Sequence, residues 1–303
     1  MNDVLADLVV CPACRGDLKE EASRLRCLDC GRAYVDNGAP RLIAEDRRSG
    51  AEWLEWQEKQ TLGLEEYERE GHDRASAEVA RAFASFSNLS GTVLDVGCGV
   101  GDRPVYATFD GQYVGLDPLP GDGERAFAFV QGLAEELPFR DACFDGVVSA
   151  TVLDHLVDPA GSLAESRRVL KRGGTLALWI GIADPAAVKE AIVRAHAAPR
   201  PSRGRIAARL RNDGLRGVLA ATWGRLVGNR LRLAALRRKA AREPTGFLER
   251  VFAERARYHF RFYRREEVLE LVRDAGFEVV ETRTLPTDDG TASLFLRARP
   301  VID

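Results

Sequence analysis

Apolar residues change their rhythm along the chain. Up to Ile43 they come in short runs, Leu8-Val9-Val10, Leu25 beside Arg26, and Ala33-Tyr34-Val35, which read as short strands cut by charged and glycine positions. Ala75 to Phe86 has helical spacing, with Val79, Phe83 and Phe86 on one side. From Thr92 onward, strand-length apolar runs alternate with helical segments. Strands are expected over 92–96, 113–116, 127–131, 144–149 and 175–180. A helix over 160–170 is stopped by Gly173-Gly174, a second helix covers 264–275, and strands over 277–284 and 292–298 follow. This alternation predicts an α/β fold, a doubly wound, mostly parallel, seven-stranded sheet. It implies a small N-terminal module (1–44), a helical connector or cap (45–88) and an α/β domain (89–303) interrupted by a helical lid insertion (184–258).

Composition narrows the class. The 303 residues suit about two domains. With 45% apolar and 30% charged residues and a net charge of −2, the chain reads as globular, without a global basic field for nucleic acid or acidic membranes. The apolar run from Gly173 to Ala183 is about half a bilayer crossing, so no transmembrane segment is expected. Residues 1–10 carry two aspartates and no basic region, which argues against a secretory signal and for a cytoplasmic protein.

Four of the six cysteines fall in the first thirty residues. Cys11-Pro-Ala-Cys14 is followed twelve residues later by Cys27-Leu-Asp-Cys30. Each C-x2-C turn brings two thiolates to one ion, and two such turns complete a tetrahedral zinc site with no open position, hence structural zinc. Gly16 and Gly31 supply permissive backbone beside each pair. The alternatives are disulfides, disfavoured in a cytosolic protein, and a redox pair, which needs only one C-x-x-C. The stretch LVVCPAC…RLRCLDCGRAYVDNGAPRLI resembles the small zinc-ribbon family that accompanies methyltransferases as an activator subunit, over about residues 5–44.

Glycines and acids mark the second module. The strand ending in Asp95-Val96 runs straight into Gly97-Cys98-Gly99-Val100-Gly101, where bare backbone lets N–H groups approach a nucleoside. Position 102 is Asp, so the dinucleotide pattern G-x-G-x-x-G fails, and a pyrophosphate would meet a carboxylate. Asp117 lies 22 residues after Asp95 at a strand end, where a carboxylate accepts both ribose hydroxyls. Together these favour S-adenosylmethionine (SAM) over a nicotinamide cofactor.

The runs VLDVGCGVGD, VGLDP, GLAEELPFRDACFDGVVS and LDHLVDPAGSLAESRRVLKRGG make the chain resemble a class I SAM-dependent methyltransferase, in the large group with quinone-biosynthesis and many small-molecule enzymes. The resemblance spans about 90–185, with the family's terminal hairpin pattern at 276–299. It implies the Rossmann-like methyltransferase fold. It also implies that Asp95, Gly97, Cys98, Gly99 and Gly101 form the loop at the methionine portion and that Asp117 holds the ribose. Leu133, Ala134 and Glu135 would flank the adenine, and Ser149 and Ala150 would sit beside the sulfonium. Departures are visible. Leu133 stands where the family often has an acid, and only eleven residues separate Gly101 from Tyr113, leaving a short helix after the glycine loop.

Asp154-His155, after the fourth strand, is placed to act as a base, which an oxygen acceptor needs. The acceptor expected is small: a glycan, natural product or lipid-linked intermediate. Residues 45–80 hold eleven acidic and five basic residues with Trp53 and Trp56 among them, whereas 200–243 holds thirteen basic and two acidic ones. That basic insertion fits a substrate lid, a helix on a membrane surface or a phosphate track for RNA. An RNA base methyltransferase is therefore an alternative, and a non-catalytic scaffold that binds a partner protein is a second.

Overall fold

The computed structural model describes residues 3–44, 74–99, 104–119, 125–183, 263–286 and 291–301. The chain divides into two compact units, one comprising Met1–Ile182, Arg257–Leu285 and Ala292–Asp303, the other Ala183–Ala256 and Pro286–Thr291. The second unit lies almost wholly outside the described residues. So do Gly101, most of the connector (45–73) and the basic insertion, whose expected helices are not described.

Strands β1 (Leu18–Glu21), β2 (Arg24–Cys27), β3 (Ala33–Asp36) and β4 (Pro40–Arg41) form an N-terminal antiparallel meander behind the short helix α1 (Asp3–Ala6). Helix α2 (Arg74–Ser87) leads into β5 (Ser90–Val96). Then come β6 (Asp110–Asp117), β7 (Ala128–Gln131), β8 (Phe144–Ala150), helix α3 (Pro159–Val169), β9 (Leu170–Ala183), helix α4 (Arg265–Asp274), β10 (Phe277–Pro286) and β11 (Thr291–Pro300). The sheet order is β1-β2-β3-β4-β7-β6-β5-β8-β9-β11-β10. Strands β7, β6, β5, β8 and β9 run parallel, and Tyr113–Asp117 are all buried, as strands covered on both faces require.

Seven strands, β5 to β11, correspond to the seven expected, and the sheet does not stop there. The backbone N–H of Leu42 donates to Gln131 O at 2.8 Å, and Arg41 pairs in parallel with Gln131, so the meander continues the sheet to eleven strands. The run Leu8-Val9-Val10, expected as a strand of the small module, pairs across instead. Val9 bridges Phe139, Val10 N–H donates to Pro138 O (3.0 Å), and Arg140 N–H donates to Leu8 O (2.8 Å). Leu5, Val9, Leu25, Tyr34 and Leu42 belong to the same buried cluster as Val130, Leu137 and Phe139. This shared apolar burial fixes the docking. The rim pairs Arg15–Glu165 (3.0 Å) and Arg140–Asp17 (2.7 Å), being largely exposed, add little.

Helix α3 begins where Asp158 accepts the N–H of Gly161 (2.9 Å) and Pro159 takes the first helical position. Helix α4 buries Val268, Leu269 and Val272 and ends at Gly276 with φ +80°, a left-handed stop. Between β5 and β6 the described residues hold a single 3-10 turn, Val105–Ala107, and no α-helix.

Candidate functional site

The four N-terminal cysteines converge. Their Sγ atoms all lie within 4.8 Å of one another, with Cys11–Cys30 at 3.7 Å and Cys14–Cys27 at 3.4 Å. A tetrahedral zinc with bonds of about 2.3 Å separates its sulfurs by about 3.8 Å, so the donor set fits that ion. All four are free cysteines, their sulfurs well beyond the roughly 2.05 Å of a disulfide bond. Turns close each pair, Arg15 N–H to Cys11 O (2.7 Å) and Gly31 N–H to Cys27 O (3.1 Å). Arg15, not Gly16, takes the left-handed conformation of the first turn, at φ 62°. Gly16 is required for another reason: a Cβ there would stand 2.3 Å from Asp29 Oδ2 on the second turn. Around the sulfurs, Tyr34 O–H donates to Cys11 Sγ (3.1 Å) and Cys30 N–H to Cys27 Sγ (3.5 Å). The Arg32 amide leads in drawing the Cys30 thiol down to about 7. Such bonds hold thiolates in place around a cation. Four sulfur ligands leave no open position, so the chemistry of this site is structural.

The second site lies at the carboxyl ends of β5, β6, β7 and β8, where open α/β sheets bind ligands. Gly97 N–H donates to Leu116 O (2.7 Å), which ties the glycine loop to the end of β6. Gly97 and Gly99 both hold left-handed backbone, at φ +79° and +77°. A Cβ at Gly97 would lie 2.3 Å from Val152 Cγ2, whereas one at Gly99 would meet no atom of the described residues within 4 Å. Gly99 N–H donates to Asp117 Oδ2 (3.0 Å), and Leu119 N–H donates to Asp117 Oδ1 (2.9 Å). Burial pushes the Asp117 carboxyl up to about 6, against the pull of those two amides and of Arg125. Two backbone donors leave acceptor capacity on this carboxylate.

Other expected site residues take different places. Asp95 is fully buried, and its Oδ2 accepts from Tyr113 O–H (2.7 Å) and Tyr106 O–H (3.0 Å). Through this oxygen its carboxylate anchors the short turn after the glycine loop. Cys98 is likewise turned inward among Ala107, Tyr113 and Phe129. Leu133 and Ala134 line the end of β7 as buried apolar residues. Glu135 reaches across: its Oε1 accepts from Val157 N–H (3.2 Å) and Asp158 N–H (3.4 Å), fastening the β7 end to the approach to α3.

Ser149 and Ala150 end β8, and the chain then kinks at Thr151. This β-branched residue holds φ 56°, and its N–H donates to Trp179 O at 2.7 Å. Such a conformation costs roughly 1–2 kcal/mol. It aims the following turn, Leu153–His155, back toward the strand ends. There Asp154 is buried and His155 partly buried, with His155 Nε2 3.9 Å from Asp154 Oδ2, an ion-pair rather than a hydrogen-bond distance. No sequence pattern signalled Thr151, since left-handed backbone leaves no mark on a β-branched residue.

Comparison with known proteins gives this arrangement its relatives. Residues 94–178 match a family described as a methyltransferase domain, and residues 4–35 match one described as Trm112p-like protein. A segment similar to a methyltransferase domain thus follows a Trm112p-like one. A demethylmenaquinone methyltransferase of Roseiflexus sp. is 37% identical over 98 residues, 29% of this chain and 41% of that protein. An uncharacterized methyltransferase of Synechocystis sp. is 42% identical over 96 residues, 28% of this chain and 45% of that protein. The chain thus spans less than half the length of these relatives. The crystal structure of Burkholderia thailandensis 1,6-didemethyltoxoflavin-N1-methyltransferase, with bound 1,6-didemethyltoxoflavin and S-adenosylhomocysteine, aligns over 93% of this chain and 100% of that one. Identity there is 17% and the TM-score 0.48. The matched segment of the methyltransferase domain runs from β5 into β9, so it holds all the strand ends described above.

Proposed function

We propose that the chain transfers a methyl group from SAM to an oxygen atom of a small acceptor, a glycan, a natural product or a lipid-linked intermediate. The observation that carries this reading is Gly99, held left-handed between β5 and β6, its N–H on Asp117 and its missing side chain leaving space that no described residue fills. That cradle admits a nucleoside with an amino-acid tail. Asp117 would accept the ribose hydroxyls, Leu133 and Ala134 would form the apolar wall for the adenine, and Ser149 and Ala150 would lie near the sulfonium. When bound, the cofactor supplies a methyl group on positively charged sulfur, already activated toward a nucleophile.

The protein's work is then to align the acceptor and to take its proton. Alignment supplies much of the rate. His155, largely buried beside Asp154, is the proposed base, and the proton of an acceptor hydroxyl would pass to its imidazole. Replacing His155 with Gln is expected to cut methyl transfer by about 100-fold, the scale of general-base catalysis, with SAM affinity unchanged. An unchanged rate would place the base elsewhere. The zinc site would hold the N-terminal meander and take no part in transfer.

Calorimetric titration with SAM tests the cofactor assignment. Asp117→Ala is expected to weaken binding by roughly 10- to 100-fold, since hydrogen bonds to a charged group contribute about 1.5–3 kcal/mol. Failure of the unmodified protein to bind SAM would favour the scaffold reading. The RNA and membrane-surface readings rest on residues 184–258, outside the described residues. Among the described residues no helix is long and apolar enough to cross a membrane.

A further inference from the structure

One charged side chain at the crevice has no part in the reading above. Arg125, in the lead-in to β7, stacks its guanidinium 3.7 Å from the centroid of the Phe129 ring, with Phe127 at 5.6 Å. Its Nη1 donates to the carbonyl oxygen of Gly99 at 2.8 Å and lies 3.6 Å from Cys98 Sγ. The N–H of the same glycine donates to Asp117. Both polar backbone groups of Gly99 are therefore gripped by side chains of opposite charge, which fixes a residue with no side chain of its own. The cation thus stands directly against the glycine loop, at the carbonyl of its last described residue.

We propose that Arg125 is a positioning residue of the cofactor crevice: it braces Gly99 and sets a positive charge beside the glycine loop. The inference deepens the functional reading above and rests on it. Stacking on Phe129 pre-orients the planar fork, so lysine would restore the charge without the brace.

The charge has a consequence at Asp117. Around that carboxyl stand Arg125 from the lead-in to β7, Cys98 from the glycine loop and Tyr106 from the turn after it. Burial holds Cys98 and Tyr106 protonated, both pushed well above their usual values. Against the burial that raises Asp117 to about 6, the Leu119 and Gly99 amides and then Arg125 draw it toward its ionised form, Arg125 being the charged group among them. A ribose needs the ionised acceptor, so binding should strengthen as pH rises through that value. Loss of the guanidinium raises the Asp117 carboxyl further and weakens binding most near neutrality.

The test is titration with S-adenosylhomocysteine from about pH 5 to about pH 8, bracketing the carboxyl, on zinc-loaded full-length protein. Arg125→Gln is expected to bind roughly 5- to 10-fold more weakly at pH 7, with the midpoint of its pH dependence raised. Arg125→Lys should return the midpoint toward that of the unmodified protein while affinity stays reduced. Wild-type affinity in Arg125→Gln would overturn the proposal. So would an equal loss at every pH with an unmoved midpoint, which is what a mere packing role produces. Zinc content and melting temperature separate these outcomes from misfolding, and should Arg125→Gln fail to fold, Arg125→Lys with full affinity overturns the brace alone. If the unmodified protein binds no S-adenosylhomocysteine at any pH, the cofactor assignment falls first and this inference with it.

Discussion

Cys27→Ser should empty the N-terminal metal site and lower the stability of the whole sheet in one step. Zinc bound by four thiolates contributes on the order of 10 kcal/mol to the folding of small modules, and loss of one ligand forfeits much of that. The effect is not confined to the meander. Strand β4 hydrogen-bonds β7, and Leu25 and Tyr34 share a buried cluster with Val130 and Phe139. A loosened meander therefore exposes the β7 edge and part of the core beneath it. A loss of about 3–5 kcal/mol would lower the melting temperature by roughly 10 °C or more for a unit of this size. Cys143→Ser is the control, because Cys143 lies outside the cluster and its thiol donates only to Arg140 O. Metal analysis and thermal unfolding on the two variants decide the matter. Full zinc occupancy and an unchanged melting temperature in Cys27→Ser would remove the structural-zinc assignment.

Gly97→Ala should destabilise the domain and abolish cofactor binding, whereas Gly99→Ala should weaken binding with little loss of stability. Both glycines are left-handed, a conformation that costs an alanine roughly 1–2 kcal/mol. They differ in what the new methyl group meets. At Gly97 it would overlap Val152, 2.3 Å from Cγ2 and 2.8 Å from Cγ1, adding about 1–3 kcal/mol of overpacking. Val152 leads into the turn of Asp154 and His155, so relief of the clash displaces the proposed base as well. At Gly99 the methyl group meets no atom of the described residues and enters the space assigned to the cofactor. Unfolding curves and SAM titrations on the pair distinguish the two roles. Equal stability losses at both positions, with binding intact at Gly99→Ala, would show that the open side of Gly99 is not the cofactor cradle.

The contrast between these glycines shows what local sequence carries. Parallel strands announce themselves as apolar runs, so β5, β6, β8 and β9 and helices α3 and α4 were legible to within a few residues. The paired C-x2-C turns were equally plain, because two short turns encode a tetrahedral donor set without help from the rest of the chain. What stayed hidden depends on contacts distant in sequence. Nothing around Val9 says that its partner is Phe139, and two-residue β4 has too few positions to show a period. The glycine loop was recognisable, yet its surroundings were not. Asp95, expected at the ligand, receives two tyrosine hydroxyls in the core. Glu135, expected beside the adenine, fastens one wall of the crevice to the other. The Asp95 placement follows from the two tyrosines packed over that part of the sheet: Tyr106 and Tyr113 need a buried acceptor, which Asp95 provides. The Arg125 contact to Gly99 was equally hidden, since an isolated arginine before an apolar strand carries no signal of it.

Methyl transfer itself is tested most directly with SAM labelled on its methyl group, incubated with the protein and an extract of its own cells. The products are then divided into RNA, organic-soluble and aqueous small-molecule fractions. Label in an organic or small-molecule fraction, lost in Asp117→Ala, is what the crevice geometry requires. Label released by ribonuclease, or no transfer at all, would contradict it.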